Sequence, residues 1–414
     1  MRLHMDTYPI SFWNVAYMEK VENTPAQRVN DWKDLGITLA MSPSFDSDYV
    51  QVAKQYLDEC EKAGLKLILS DRRSHWRYLI ENGEDAYRAA FKASLAAFDG
   101  HPALFGFYVG DEPDADNVEY AKTALRIQYE EAPHLIAYLN LLPWFDWIGE
   151  RMGTTYIAPY LDKIVEQGKS QFLSYDCYVQ MQRNVENGKD VYFENLRNYF
   201  EAYKRHGVPF MNIVLCGSHS CGDTHYPVPT TDELRWQLGT SVAMGAASVS
   251  WYVIDPCGIY ENAGHLYDYR ELPINALGER TANYARLSEI NRIFLKHMGD
   301  VMHNLVIDEC YHYGECYGGV EAFRPFGKVK DLTADGPMIL SRFHDKDGND
   351  YYLACCNSPT DSITFTLTFE ADTHISYCAW GNRFLQGGTR NDKDGAKVSF
   401  SLAPGQLHLY RIDK

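Results

Sequence analysis

Eight times in its first three hundred residues, the chain sets a short, nearly continuous apolar run ahead of a helix-like stretch, and this alternation leaves few folds open. The runs are "ISFWNVAY" (10–17), "ITLAMSP" (37–43), "LKLILSD" (65–71), "LFGFYVGDEPD" (104–114), "HLIAYLNLLP" (134–143), "QFLSYDCYV" (171–179), "PFMNIVLCG" (209–217) and "ASVSWYVIDP" (247–256). Helical signals lie between them. The first is clearest: Thr24 as N-cap, Pro25 at the first helical position and Gly36 as the stop. Further helices are expected near 47–63 (closed by Gly64), 84–98, up to 131, 157–168, 190–206, 231–244 and 278–297. Apolar strands that do not alternate with polar residues are buried on both faces, as in a parallel sheet covered by helices. Eight such units in roughly 290 residues match a (β/α)8 TIM barrel. A doubly wound open sheet would carry a glycine fingerprint after its first strand, and "WNVAYMEK" has none.

Past residue 300 the texture changes. "MILSRFHDKDGNDYYLACCNS" reads as strand, turn, strand, "SITFTLTF" alternates, and the chain closes on "VSFSLAPGQLHLYRI". A barrel over 1–300 followed by a small all-β sandwich over 301–414 is expected, the boundary falling between 298 and 335. The sandwich could bind substrate, mediate a homo-oligomer or cover the barrel's flank; its charged turns favour the last.

A net charge of −17 argues against nucleic acid and membrane partners, which select basic surfaces. Aromatic content is 14%, including 30 Tyr and 8 Trp, and suits a ligand with flat apolar faces such as a sugar ring. No apolar run reaches the 18 residues of a membrane span, and "MRLHMDTYPISFW" lacks a signal core, so a cytoplasmic protein is expected. The ten cysteines show no disulfide framework. Cys216 and Cys221, with His219 and His225 nearby, have poor zinc spacing and no second ligand pair; no metal and no cofactor is expected.

Active sites of such barrels lie at the C-terminal ends of the strands. Those ends hold Trp13 and Asn14, Ser42, Asp71 with Arg72, Asp111 with Glu112, Asn140, Tyr175 with Asp176, His219, and Trp251 with Asp255. Trp144 follows the fifth strand. Each has a plain structural alternative: Asp71 and Arg72 as an ion pair, His219 as a loop histidine, Trp251 as packing. Asp111 and Glu112 are harder to dismiss, because Asp114 and Asp116 suffice to cap the next helix.

In order along the chain, "ISFWNVAY", "GFYVGDEP" and "SVSWYVIDP" resemble the large clan of (β/α)8 glycoside hydrolases. "PTTDELRWQLGTSVAMGAASVSWYVI" is similar to the seventh helix and eighth strand of its β-galactosidase-like members and their uncharacterised bacterial relatives, and "FSLAPGQLHLYRI" to their appended β-domain. The resemblance implies a carbohydrate substrate. It also implies that Glu112, with Pro113 matching, is the general acid/base, and that Asp111 replaces an Asn that binds the sugar 2-hydroxyl. The clan's nucleophile, a Glu ending the seventh strand, has no counterpart in "IVLCGSHSC", and Glu233 lies inside the following helix. Glycoside hydrolysis needs a second carboxylate. Asp176 leads the candidates, followed by Asp255, Asp223 and Glu261, and the missing seventh-strand Glu favours inversion. An apolar strand beneath Glu112, with Tyr108 and Trp144 near, would raise its pKa.

Two other readings stand beside this one: a sugar-binding barrel without catalysis, and another barrel hydrolase or lyase using His219, His225 and Asp223. Arg72 and Arg73 could select an acidic sugar or hold loops through Asp71 or Glu84.

Overall fold

A computed structural model describes residues 3–21, 24–221, 224–256 and 269–413. Asp223 and Glu261 lie outside the described residues. Eight parallel strands form one sheet: Ile10–Phe12, Leu39–Met41, Lys66–Leu69, Leu104–Asp111, Ile136–Leu141, Leu173–Asp176, Phe210–Leu215 and Ser248–Tyr252, called the first to eighth strands below. From the second to the eighth each pairs with the next, and the eighth pairs with the first. Between the first and second strands the closure is minimal: the Thr38 amide donates to the Ile10 carbonyl, and the Thr38 hydroxyl accepts from the Ile10 amide. The result is the (β/α)8 barrel that the alternation predicts.

The first helix, Pro25–Asp34, starts on a capping box in which Thr24 and Gln27 satisfy each other's backbone amides. The helix Val50–Ala63 ends on Gly64 in the left-handed region. The helix Thr231–Ala243 is enclosed nearly all round, because the barrel covers one face and the C-terminal sheets the other. Its Glu233 is the third residue of a capping box with Thr230 and pairs with Arg183 at 2.6 Å, so it is committed at the helix start. Its Gln237 clamps the seventh strand, accepting from the Leu215 amide and donating to the Leu215 carbonyl.

Two antiparallel sheets follow, of six and four strands, from Val306 to Asp413. Leu340, Tyr352 and Tyr410 of one meet Leu332, Phe365 and Leu367 of the other in a core of their own, which makes a β-sandwich. Cys355 and Cys356, adjacent on one strand, point to opposite sides, Cys355 into the barrel-side core and Cys356 into the sandwich core. All eight cysteines described as free carry no disulfide. The sandwich is seated on the helix Thr231–Ala243: Trp236 Nε1 donates to Asn357 Oδ1 at 3.1 Å, and the Ser341 hydroxyl to the Ala243 carbonyl at 2.6 Å. Gly239 allows the approach, since a Cβ there would lie 2.2 Å from the Gly405 carbonyl oxygen. The sandwich thus covers the barrel's flank. No helix among the described residues is long and apolar enough to cross a membrane.

Candidate active site

The fourth strand decides what stands at the barrel mouth. Its side chains alternate, with Phe107 packed outward on Phe91 and Tyr108 turned inward against Trp13. Continued regularly, this would send Asp111 outward. A bulge intervenes: Val109 and Gly110 together oppose the single residue Leu139, so Asp111 falls opposite Asn140 on the inner face. Only glycine fits at 110, where φ is +151° and a Cβ would strike the Trp76 indole at 2.0 Å. Glu112 follows with φ of 42°, an uncommon conformation for a non-glycine residue, pinned by its amide to the Asn140 carbonyl at 3.0 Å.

Asn140 is the hub. Its Nδ2 donates to Asp111 Oδ1 at 2.9 Å and to Asp176 Oδ1 at 2.7 Å, while its Oδ1 accepts from the Ser174 hydroxyl at 3.0 Å. Ser174 in turn meets the Tyr138 hydroxyl at 3.2 Å. One neutral amide therefore spends both its protons on two carboxylates, one from the strand on either side. Glu112 stays outside this network; its Oε2 accepts from Arg151 at 3.1 Å, and its side chain keeps 30% exposure.

Three acids so close cannot all ionise freely. Asp111 opens on the cleft but is enclosed by protein on its other sides; burial first, then the charge of Glu112, raise its pKa from 3.8 to about 7, against the pull of Asn140, Arg77 and Arg151. Burial and the charges of Glu112 and Asp111 hold Asp176 well above the usual carboxylate range, against hydrogen bonds from Asn140 and Tyr178. Glu112 is raised by burial, with Arg151 opposing. Burial and mutual repulsion thus favour the protonated form within the cluster, opposed by Arg151 and the Asn140 amide.

This has a stability consequence. Between about pH 4 and 7 the folded protein holds a proton on Asp111 that the unfolded chain has released, so stability falls as pH rises through that window. Asp111→Asn, which still accepts from Asn140, is expected to melt higher than the parent at pH 8, with the gap closing toward pH 4. Thermal melts of both proteins across that range check the sign.

A cleft of about 750 Å³ opens beside the cluster, lined by Trp13, Tyr108, Asp111, Tyr252 and Tyr269 among others. Tyr252 and Tyr269 share a hydrogen bond of 2.7 Å. His219 is sandwiched between Tyr226 and Tyr269, with ring centroids 4.5 and 5.4 Å away; burial and the charge of His225 lower its pKa to about 4, so it is neutral. Asn14 lines the cleft, but its amide donates to the Met41 carbonyl and accepts from the Ala16 amide.

Several residues expected at the rim have other employment. Trp251 lies on the outer face of its strand, unexposed, its Nε1 donating to Asn291 at 3.0 Å; its neighbour Tyr252 takes the inner face. Tyr175 is likewise outward and stacks on Tyr199 at 4.0 Å, which is the counterpart of Asp176 pointing inward. Trp144, just past the fifth strand, is buried in the core, its backbone amide and carbonyl both bound by the Asn195 side chain. Asp255 forms a sealed ion pair with Arg28 of the first helix at 2.8 Å. Asp71 pairs with Arg73 rather than Arg72 and accepts from the Ser94 hydroxyl, so its carboxylate is fully enclosed at the cleft wall. Arg72 lines the cleft but pairs with Glu19 at 2.6 Å and Asp46 at 3.3 Å. The Cys216 thiol faces the Val253 carbonyl, and His225 Nδ1 bonds the Ser220 hydroxyl.

Tyr252, Tyr269, His75 and Arg77 line the cleft without having been singled out from the sequence. The phase of the eighth strand would have pointed to Tyr252 once Trp251 was turned outward. Tyr269, His75 and Arg77 sit on connections whose course no local pattern specifies.

No protein-family model matches the chain, and no curated protein matches it in sequence. Solved structures do resemble it. One described as a glycoside hydrolase has a TM-score of 0.57 at 11% identity, covering 98% of this chain and 92% of that one. A β-galactosidase from Rahnella sp. R3 has a TM-score of 0.55 at 11% identity, over 74% of this chain and 58% of its own. A β-galactosidase from the Antarctic haloarchaeon Halorubrum lacusprofundi has a TM-score of 0.50 at 11% identity, over 70% and 58%. The chain therefore spans 58% of the length of each β-galactosidase. The likeness is one of fold, the (β/α)8 barrel these solved glycoside hydrolases share.

Proposed function

We propose that the protein is a glycoside hydrolase whose working pair is Glu112 and Asp176. The observation that carries this reading is the cluster of Asp111, Glu112 and Asp176 around Asn140, at the end of the barrel where such enzymes do chemistry. Hydrolysis of a glycosidic bond needs a proton for the leaving oxygen and a carboxylate on the other side of the sugar ring, and a cluster of three carboxyls in which burial favours the protonated form can supply both. Glu112 is the donor, because its side chain is 30% exposed and Arg151 engages only Oε2, which leaves Oε1 to face a leaving oxygen, whereas Asp111 and Asp176 are tied together through the Asn140 amide. Asp176, enclosed below, activates water or attacks the anomeric carbon. Trp13, Tyr108 and Tyr252 offer the aromatic surfaces that stack on a sugar face. Asp111 holds the shared network and accepts from a substrate hydroxyl.

The test is a panel of nitrophenyl glycosides in both anomeric configurations, with the Glu112→Gln protein as control for contaminating activity. Release of nitrophenol by the parent and not by the variant supports the reading; no hydrolysis of any member, with sugar binding retained, replaces it with a binding protein. The absence of a seventh-strand carboxylate favours inversion, and proton NMR of the first-formed anomer reads the outcome.

A further inference from the structure

The cleft that Asp111 lines also carries two cations, Arg72 and Arg77. Arg72 is already neutralised by Glu19 and Asp46. Arg73, behind the wall, is bound to Asp71 through Nε and Nη2. Arg77 differs: among the described residues no carboxylate lies within ion-pair distance of its guanidinium, although Glu81, one helical turn on, lines the same cleft. Its backbone is fixed by a hydrogen bond from its amide to His75 Nδ1 at 3.0 Å, and its guanidinium lies 5.6 Å from the Trp76 ring centroid. The side chain is exposed and lines the cleft, where its positive charge acts on Asp111, Tyr108 and His75.

An unpaired guanidinium in an otherwise acidic cleft keeps five donors in a planar fork, the geometry that grips a carboxylate or sulfate with two parallel bonds. The cleft also carries the carboxylates of Glu81 and Asp111, which without Arg77 would disfavour an anion. The geometry points to Arg77 as a specificity residue for an anionic sugar, a uronate or a sulfated pyranose, bound with its charged substituent on the Arg77 side of the cleft. This rests on the glycosidase reading for turnover, but the recognition itself does not.

The experiment therefore reads catalysis and binding separately. Nitrophenyl uronides are compared with the matching neutral glycosides, and D-glucuronate and D-galacturonate with D-glucose and D-galactose by calorimetry, for the parent, Arg77→Gln and Arg77→Lys. Expected is a uronide preference in kcat/KM that falls by about 10–100-fold in Arg77→Gln. Arg77→Lys should recover only part of it, since an ammonium lacks the fork. Uronate binding should weaken in the same order and with added salt. Neutral glycosides cleaved as well as uronides, or a preference untouched by Arg77→Gln, overturns the proposal. Should no substrate be cleaved, the glycosidase reading fails, and uronate binding lost in Arg77→Gln still upholds the recognition. Equal binding of uronate and neutral sugar ends it.

Discussion

Glu112→Gln is expected to lower turnover by about 10²–10⁴-fold on a glycoside with a sugar or alkyl leaving group, and far less on a dinitrophenyl glycoside. An alkoxide must be protonated as the bond breaks, whereas a dinitrophenolate leaves unaided. Asp176→Asn should fall by a comparable factor on both substrates, because attack or water activation is needed whatever the leaving group. The losses correspond to about 3–5 kcal/mol of barrier. Steady-state kinetics of the two variants on the two substrates give four numbers, and only this pattern assigns the roles as proposed. Equal losses on both substrates for Glu112→Gln would make it the attacking or base residue and move the acid to Asp176 or Asp111. The exchange is physically open, because Asp176 has the stronger desolvation while Arg151 favours the charged form of Glu112. One proton shared among coupled acids belongs to the cluster and not to one side chain.

The second large effect is on stability. Arg28→Ala should destabilise the protein by about 3–5 kcal/mol, since it removes the buried cation that Asp255 meets at 2.8 Å. Both side chains are over nine-tenths buried, and the contact of 2.8 Å joins the first helix to the segment after the eighth strand, across the seam where the barrel closes. Replacing both with apolar residues of similar volume, as in Arg28→Met with Asp255→Leu, should restore much of that loss, because the desolvation cost disappears with the charges. Denaturant titrations of the singles and the double close the cycle. A double variant as unstable as the singles would show that the pair's worth lies in packing. Turnover per folded molecule should be unchanged in Asp255→Asn, which separates this acid from the catalytic candidates.

The architecture was legible because it depends on period and punctuation, which are local. Eight apolar runs, the capping box at Thr24 and the Gly64 stop stand in the fold where the residues put them. The acids were legible for a related reason: Asp111, Glu112 and Asp176 end otherwise apolar strands, and no nearby helix end needs them. The direction of the neighbours was not. In a strand buried on both faces, an apolar run carries no alternation, so nothing in "SVSWYV" says whether Trp251 or Tyr252 faces the barrel interior. Tyr175 and Trp251 were expected at the mouth and stand one position out of phase with it.

Sequence by itself therefore determined the number of units, the barrel that eight of them close, the β-rich appendix and the strand ends that carry acid. Tertiary structure decided which face each side chain took. A bulge of one residue at Val109–Gly110 brings Asp111 inward to share Asn140 with Asp176, and its register exists only against the fifth strand. Pairing decided the rest: Asp71 with Arg73, Arg72 with Glu19, Asp255 with Arg28, leaving Arg77 to the cleft. Backbone period is written in neighbouring residues, while strand register and charge pairing depend on contacts between segments far apart in the chain.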